Sequence, residues 1–178
     1  MNDKSVYAIV SSENKAGQIV DTLHEHGFST NDISVLLPDK VSTHEFSHEK
    51  NTKAPEGALT GVATGGVLGG TLGLLIGIGT LAIPGVGPLI AAGPLLAALS
   101  GAAAGATLGG IAGGLIGLGI PELEAKCYGN RIAEGNILIS VVARTSENVD
   151  RAKEIFKSAG AEDISVTSIG EIASSAKS

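Results

Sequence analysis

The tetrapeptide Asp32-Ile33-Ser34-Val35 returns as Asp163-Ile164-Ser165-Val166, 131 residues further on. Upstream of the first copy stands Ser11-Ser12-Glu13-Asn14, and upstream of the second stands Thr145-Ser146-Glu147-Asn148, at an offset of 134. The two registers differ by only three residues, so one local pattern is written twice. Each copy begins with a run suited to a buried strand: residues 5–10 (SVYAIV) and 137–143 (ILISVVA), both rich in β-branched side chains. Helix-starting hydroxyl and acidic residues follow, and then apolar positions at helical spacing. These are Ala16, Ile19, Val20 and Leu23 in the first copy, and Val149, Ala152, Ile155, Phe156 and Ala159 in the second. Gly27 and Gly160 close the helices, and the repeated tetrads open a last strand in each half, the first stopped by Pro38. Two βαβ units predict an α+β fold of the ferredoxin-like kind, a four-stranded antiparallel sheet with both helices on one face. Neither half alone carries enough apolar surface to be stable, so the two must meet.

What separates the halves is chemically unlike them. The chain has 178 residues, a net charge of −6 and 26 glycines, roughly twice the average glycine usage. Residues 57–121 contain no Asp, Glu, Lys, Arg or His, yet hold 20 of those glycines. A soluble helix needs a wet face, whereas a helix crossing a bilayer needs about 20 mostly apolar residues. Helical continuity breaks at Pro84-Gly85-Val86-Gly87-Pro88, with Gly93-Pro94 just beyond. This leaves arms over residues 57–83 and 95–120, read as a transmembrane helical hairpin inserted between the second and third strands. Two other readings of the stretch stay open: a low-complexity linker, and a water-soluble oligomer burying the arms against copies of itself.

Glycine recurs every four residues in both arms: Gly57, Gly61, Gly65, Gly69, Gly73 and Gly77, then Gly101, Gly105, Gly109, Gly113 and Gly117. In lipid, such stripes let backbones approach and gain dispersion contacts. A four-residue step advances the stripe by about 40°, so it winds past more than one neighbour. Self-association through these faces is expected, with a tight monomeric hairpin as the plain alternative. Lys50 and Lys53 precede the first arm and Lys126 and Arg131 follow the second, which favours the cytoplasmic side for both ends. Residues 1–12 lack the pattern of a secretory signal. The expected layout is residues 1–40 and 136–170 as the two βαβ halves, 41–56 as a polar linker, 57–120 as the hairpin, 121–135 as a connecting amphipathic helix and 171–178 as a flexible tail. Leu123, Cys127, Tyr128 and Ile132 are expected to form one apolar stripe on that connecting helix.

Chemistry is sparse. Acidity and few aromatics argue against a nucleic-acid binder, and a single cysteine excludes an internal disulfide framework. Cys127 reads as a small packing residue. His24 and His26 flank Glu25 near a helix end and read as solvent-facing groups that favour the helix dipole. His44-Glu45-Phe46-Ser47-His48 fits the H-E-x-x-H spacing of zinc peptidases, but it sits in a polar stretch without a third ligand. His44 and His48 are therefore only weak metal candidates. The glycine arms lack the Lys-Ser/Thr of a phosphate loop, and no catalytic triad can be assembled. Neither a cofactor nor an enzymatic reaction is expected.

The segments at residues 27–39 (GFSTNDISVLLPD), 53–57 (KAPEG) and 134–142 (EGNILISVV), with the glycine-periodic arms between, resemble a bacterial family related to heat-induced general stress proteins. The layout is also similar to the membrane-anchor subunit of alternative complex III. These resemblances imply a bacterial inner-membrane protein with both termini cytoplasmic, and they carry over no catalytic residue. Expected first is a non-enzymatic structural protein that self-assembles in or on the membrane and shapes or stabilises it. The alternative is a membrane-tethered ferredoxin-like sensor or anchor that binds a small ligand or a heterologous membrane partner such as a respiratory complex. A pore ranks third, because only Thr60, Thr64, Thr71, Thr80, Ser100 and Thr107 could line it.

Overall fold

The computed structural model describes residues 3–38, 79–83, 87–95 and 110–168. In chain order the elements are β1 (Lys4–Val10), α1 (Glu13–Glu25), a 3₁₀ turn (Thr30–Asp32), β2 (Ile33–Pro38), β3 (Gly79–Ile83) and β4 (Gly87–Ala92). They continue with α2 (Gly110–Gly117), α3 (Glu122–Ala133), β5 (Ile137–Ala143), α4 (Ser146–Ser158) and β6 (Glu162–Ser168). The architecture is α+β. All strand pairs are antiparallel, in the order β3-β4-β2-β5-β1-β6.

The duplicated pattern folds as its signals dictate. Ser12 caps α1 by accepting the Lys15 amide, and Thr145 caps α4 by accepting that of Asn148. Gly27 and Gly160 take positive φ just past the helix ends, where side-chain-bearing residues are strained. Both helices lie on one face of the sheet. Ile19, Val20 and Leu23 of α1 and Val149, Ala152 and Phe156 of α4 are buried there against Val6, Ala8, Ile137, Ile139 and Val141. The sheet's other face is also covered, though it carries hydroxyls among its apolar side chains. Ile9, Leu36, Leu89 and Leu138 on the strands pack with Ile111 and Leu115 of α2 and Ala125, Tyr128 and Ile132 of α3. The described molecule is three layers deep, with the sheet in the middle.

Several expectations for the neutral stretch are corrected. The sheet has six strands among the described residues, two more than expected, because the hairpin's apex joins it. Gly79–Ile83, expected as the end of the first helical arm, is strand β3. Gly87 and Pro88, expected in the turn between the two helical arms, begin β4, which pairs with β2 through Val35↔Ala92 to Pro38↔Leu89. The physical reason is the open edge of β2: its unpaired backbone groups bond a Leu/Ile-bearing segment, which gains little from a helix interrupted by glycine and proline. The second arm is not one continuous helix to Ile120. Among the described residues it is helical over Gly110–Gly117, and the chain turns at Gly119, whose φ is 87°. Residues 57–78, 84–86 and 96–109 lie outside the described residues, as do the linker at 41–56 and the tail at 171–178. Among the described residues no helix is long and apolar enough to cross a membrane. The connecting helix forms as expected, but Leu123 is 84% exposed and Cys127 is exposed, so the buried stripe is Ala125, Tyr128 and Ile132. Leu123 and Cys127 precede Ala125 and Tyr128 by two and one positions, which rotates them off the sheet.

Two substitutions test this packing. Phe156→Ala should lower unfolding stability by about 3–5 kcal/mol, by removing a fully buried ring. Gly93 has φ +76°, and a Cβ there would collide with the Ile33 carbonyl oxygen. Gly93→Ala should therefore cost about 2 kcal/mol or more, although it removes no contact. Denaturant titration of each variant gives both values; a neutral Gly93→Ala would show that β4 does not join β2 in this register.

Candidate functional site

Few of the residues singled out by sequence come together. Gly57, Gly61, Gly65, Gly69, Gly73, Gly77, Gly101, Gly105 and Gly109 lie outside the described residues, as do Pro84, Gly85, His44 and His48. Gly113 and Gly117 are on α2. The residues that α2 turns into the core are Ile111, Gly114 and Leu115, whereas Gly113 is half-buried and Gly117 is exposed beside open space. Where α2 meets α3, the close approach uses Ala112 and Gly129: a Cβ on Gly129 would stand 3.7 Å from that of Ala112. On this helix the period-four stripe thus faces away from its own sheet. Among the described residues, no group of three or more His, Cys, Asp or Glu side chains could hold a metal.

The structure instead assembles a cluster that sequence reading missed. Side chains alternate along a strand, so Ser5 and Tyr7 of β1 point away from α1 and α4, as do Ser34 of β2, Ser140 of β5 and Ser165 and Thr167 of β6. Register aligns them across the sheet: Ser34↔Ser140, Ser140↔Tyr7 and Tyr7↔Ser165 form one row, and Ser5↔Thr167 starts the next. A row of hydroxyls therefore crosses four strands beneath the second helical layer. Ser5, Ser34, Ser140 and Thr167 are all buried.

α3 roofs this row with one face. The Tyr128 hydroxyl lies 2.6 Å from the Asp163 carbonyl, to which it donates, and 2.7 Å from Ser165 Oγ. Its ring centroid is 6.3 Å from that of Tyr7. One turn later Arg131 reaches Glu162 at 2.8 Å and Asp163 at 3.1 Å. One turn earlier stands Glu124, on the same face as Tyr128 and Arg131. Glu124 Oε2 and Thr167 Oγ1 are buried without a hydrogen-bond partner among the described residues. Each is a buried polar atom whose desolvation a bound water or small polar group would relieve.

The surroundings also raise the proton affinity of three side chains. Burial raises the Tyr7 hydroxyl pKa, partly offset by its bond to Ser5. Burial also raises that of Tyr128, opposed by the Ser165 bond and reinforced by the Glu124 and Asp163 carboxylates. Desolvation first, and then the Asp163 charge, push up the Cys127 thiol. All three groups stay protonated near neutral pH. Another feature, a groove of 490 Å³ between α1 and α4, is lined by Thr22, His26, Arg151 and Glu154. Two of its polar members are already engaged: His26 Nδ1 with the Thr22 carbonyl at 2.8 Å, and Arg151 with Glu147 at 2.9 Å. No protein-family model, curated protein or solved structure matches the chain.

The chain contains two tyrosines and no tryptophan, which makes their burial directly readable. In the folded state both hold protons that the unfolded chain releases above a pH of about 10, so stability falls as pH rises through that value. Absorbance at 295 nm should show no phenolate until the protein unfolds. Tyr128→Phe should halve that step and cost about 1–3 kcal/mol, through the partners it leaves unpaired. Phenolate appearing in the native state near pH 10 would contradict the burial of these rings.

Proposed function

We propose that this is a non-enzymatic, self-associating structural protein that works in or on a bacterial cytoplasmic membrane, in line with the resemblance to general stress proteins. Its folded part is read as a ferredoxin-like unit. The support for that is the order β2-β5-β1-β6, with α1 and α4 together on one face and each helix linking two parallel strands across an antiparallel one. The observation carrying the functional reading is the outer surface of α2 and α3. There Ile116 is 43% exposed and Leu123 84% exposed, beside the open Gly117 and next in sequence to the uncharged stretch. Exposed aliphatic side chains flanked on α3 by the exposed Glu122–Lys126 pair suit the interfacial layer of a bilayer, where apolar and charged groups meet.

The packing of α2 bears on how the membrane is met. With Gly110–Gly117 on the sheet, residues 96–109 remain for the second arm. Fourteen residues reach about 21 Å as a helix, short of the roughly 30 Å hydrocarbon layer. Shallow embedding with self-association is therefore favoured over a hairpin that crosses fully. A second reading, a ligand-binding sensor or anchor, is favoured by the orphaned Glu124 and Thr167 oxygens.

Flotation with lipid vesicles and sedimentation with and without lipid test the first reading. Ile116→Glu with Leu123→Glu should weaken vesicle binding at least about tenfold, the scale of losing one buried aliphatic side chain. Leucine at Gly65, Gly69, Gly109 and Gly113 should disperse the homo-oligomer. A monomer indifferent to vesicles, or a stoichiometric complex with a different protein and no homo-oligomer, would overturn it, the latter in favour of the anchor reading.

A further inference from the structure

On the opposite face of the sheet from the hydroxyl row, the start of β1, the end of β6 and the first turns of α4 border an open cleft of 350 Å³. Lys4, Ser146, Asp150, Lys153 and Ser168 line it. Lys4 and Ser168 are direct cross-strand partners. Ser146, Asp150 and Lys153 follow one another on a single face of α4. Both lysines are half-buried, and neither has a carboxylate within ion-pairing distance among the described residues. Lys126, Arg131, Arg144 and Arg151 each hold one, and Lys15 and Lys157 hold none among the described residues, but only Lys4 and Lys153 line the same cleft. Two half-desolvated ammonium groups facing one carboxylate leave a local excess of positive charge in a chain whose net charge is −6.

Other donors converge on the same space. Ser146 is the first residue of α4, a 13-residue helix. The Thr145 side chain takes the Asn148 amide, which leaves the amides of the first two helical residues without an intrahelical partner. The positive end of the helix dipole adds to the two ammonium charges, and the Ser146 and Ser168 hydroxyls supply further donors. Strand, helix and hydroxyl donors thus approach from different directions. A flat carboxylate would leave some of them unmet, whereas a tetrahedral anion with several acceptor oxygens meets them together.

We propose that this cleft binds a phosphate group through Lys4 and Lys153, with Ser146 and Ser168 orienting it and Asp150 weakening its hold. The site is independent of how α2 and α3 associate, because it lies on the other face of the sheet. A free phosphate ion and the headgroup of an acidic phospholipid offer the same chemistry, and the experiment separates them. The full-length protein is titrated with inorganic phosphate by calorimetry, with chloride as the control anion. Vesicles of phosphatidylcholine, with and without phosphatidylglycerol, are tested in parallel. Binding of inorganic phosphate is expected to fall at least about tenfold in the Lys4→Gln, Lys153→Gln variant and to tighten several-fold in Asp150→Asn. Because one change loses affinity and the other gains it, misfolding of a variant cannot imitate both. A response to inorganic phosphate alone assigns the site to a soluble phosphate. A response confined to phosphatidylglycerol vesicles, and lost in the lysine variant, assigns it to a headgroup. Phosphate and vesicle binding that are absent, or unchanged in both variants, would overturn the proposal, whatever the protein's oligomeric state.

Discussion

The central strands are apolar on both sides, and a sheet of that kind must be covered twice before it can persist in water. β1 is buried from Ser5 to Val10, β2 from Ile33 to Leu37, and β5 at all but one of its positions. The duplicated helices α1 and α4 cover one face and leave Ile9, Leu36 and Leu138 on the other. Hydration of that second face would oppose folding at tens of calories per Å², roughly 25 by transfer data. Burial against any apolar segment within reach relieves it. The segment within reach is the uncharged insertion, and its middle and its C-terminal part are drawn onto the sheet: β4 beside β2, and α2 across the face that α3 also covers. Segments whose composition suits lipid are here spent on a protein core.

Placing hydroxyls in the middle of that second face has a cost that the sheet meets with specific partners. Ser34 accepts the Leu95 amide at 3.2 Å, tying the chain beyond β4 back onto β2. Ser165 meets Tyr128, fixing where α3 crosses β6. The aspartates of the two repeated tetrads are each clasped by an arginine: Asp32 by both terminal nitrogens of Arg144 at 2.7 Å, and Asp163 by Arg131. These contacts join segments more than 30 residues apart, and in the Asp32 pair 112 apart. They set register and helix position more than they add net stability, since exposed ion pairs contribute little.

Legibility followed the range of the forces. α1 and α4 were readable because their caps and apolar spacing are local, and the buried residues Ala16, Ile19, Val20, Leu23, Val149, Ala152, Ile155 and Phe156 are those that the spacing names. The hydroxyl row could have been found the same way, since Ser34 and Ser165 hold equivalent places in the repeated tetrads and Ser140 alternates with buried aliphatics. What hid it is that a serine in a strand looks the same whether its face meets water or a helix. Leu123 was misplaced for a similar reason: hydrophobicity alone put it in the stripe, but helix phase, fixed by Tyr128 and Arg131 reaching β6, turns it outward.

By itself the sequence determined the βαβ repeat, the limits and inward faces of α1 and α4, and the existence of a long segment that avoids charge. Each of these is set within a few residues by dihedral preference, capping or periodicity. Only the tertiary structure decided that Gly79–Ile83 and Gly87–Ala92 are strands, that α2 lies on the sheet, and that Glu124 and Thr167 are left unpaired. Those outcomes depend on which surface an apolar segment finds first. Neutral Gly-, Ala- and Leu-rich stretches satisfy a bilayer, a partner helix and an uncovered sheet almost equally well, so the presence of the sheet, rather than any local propensity, settles the choice.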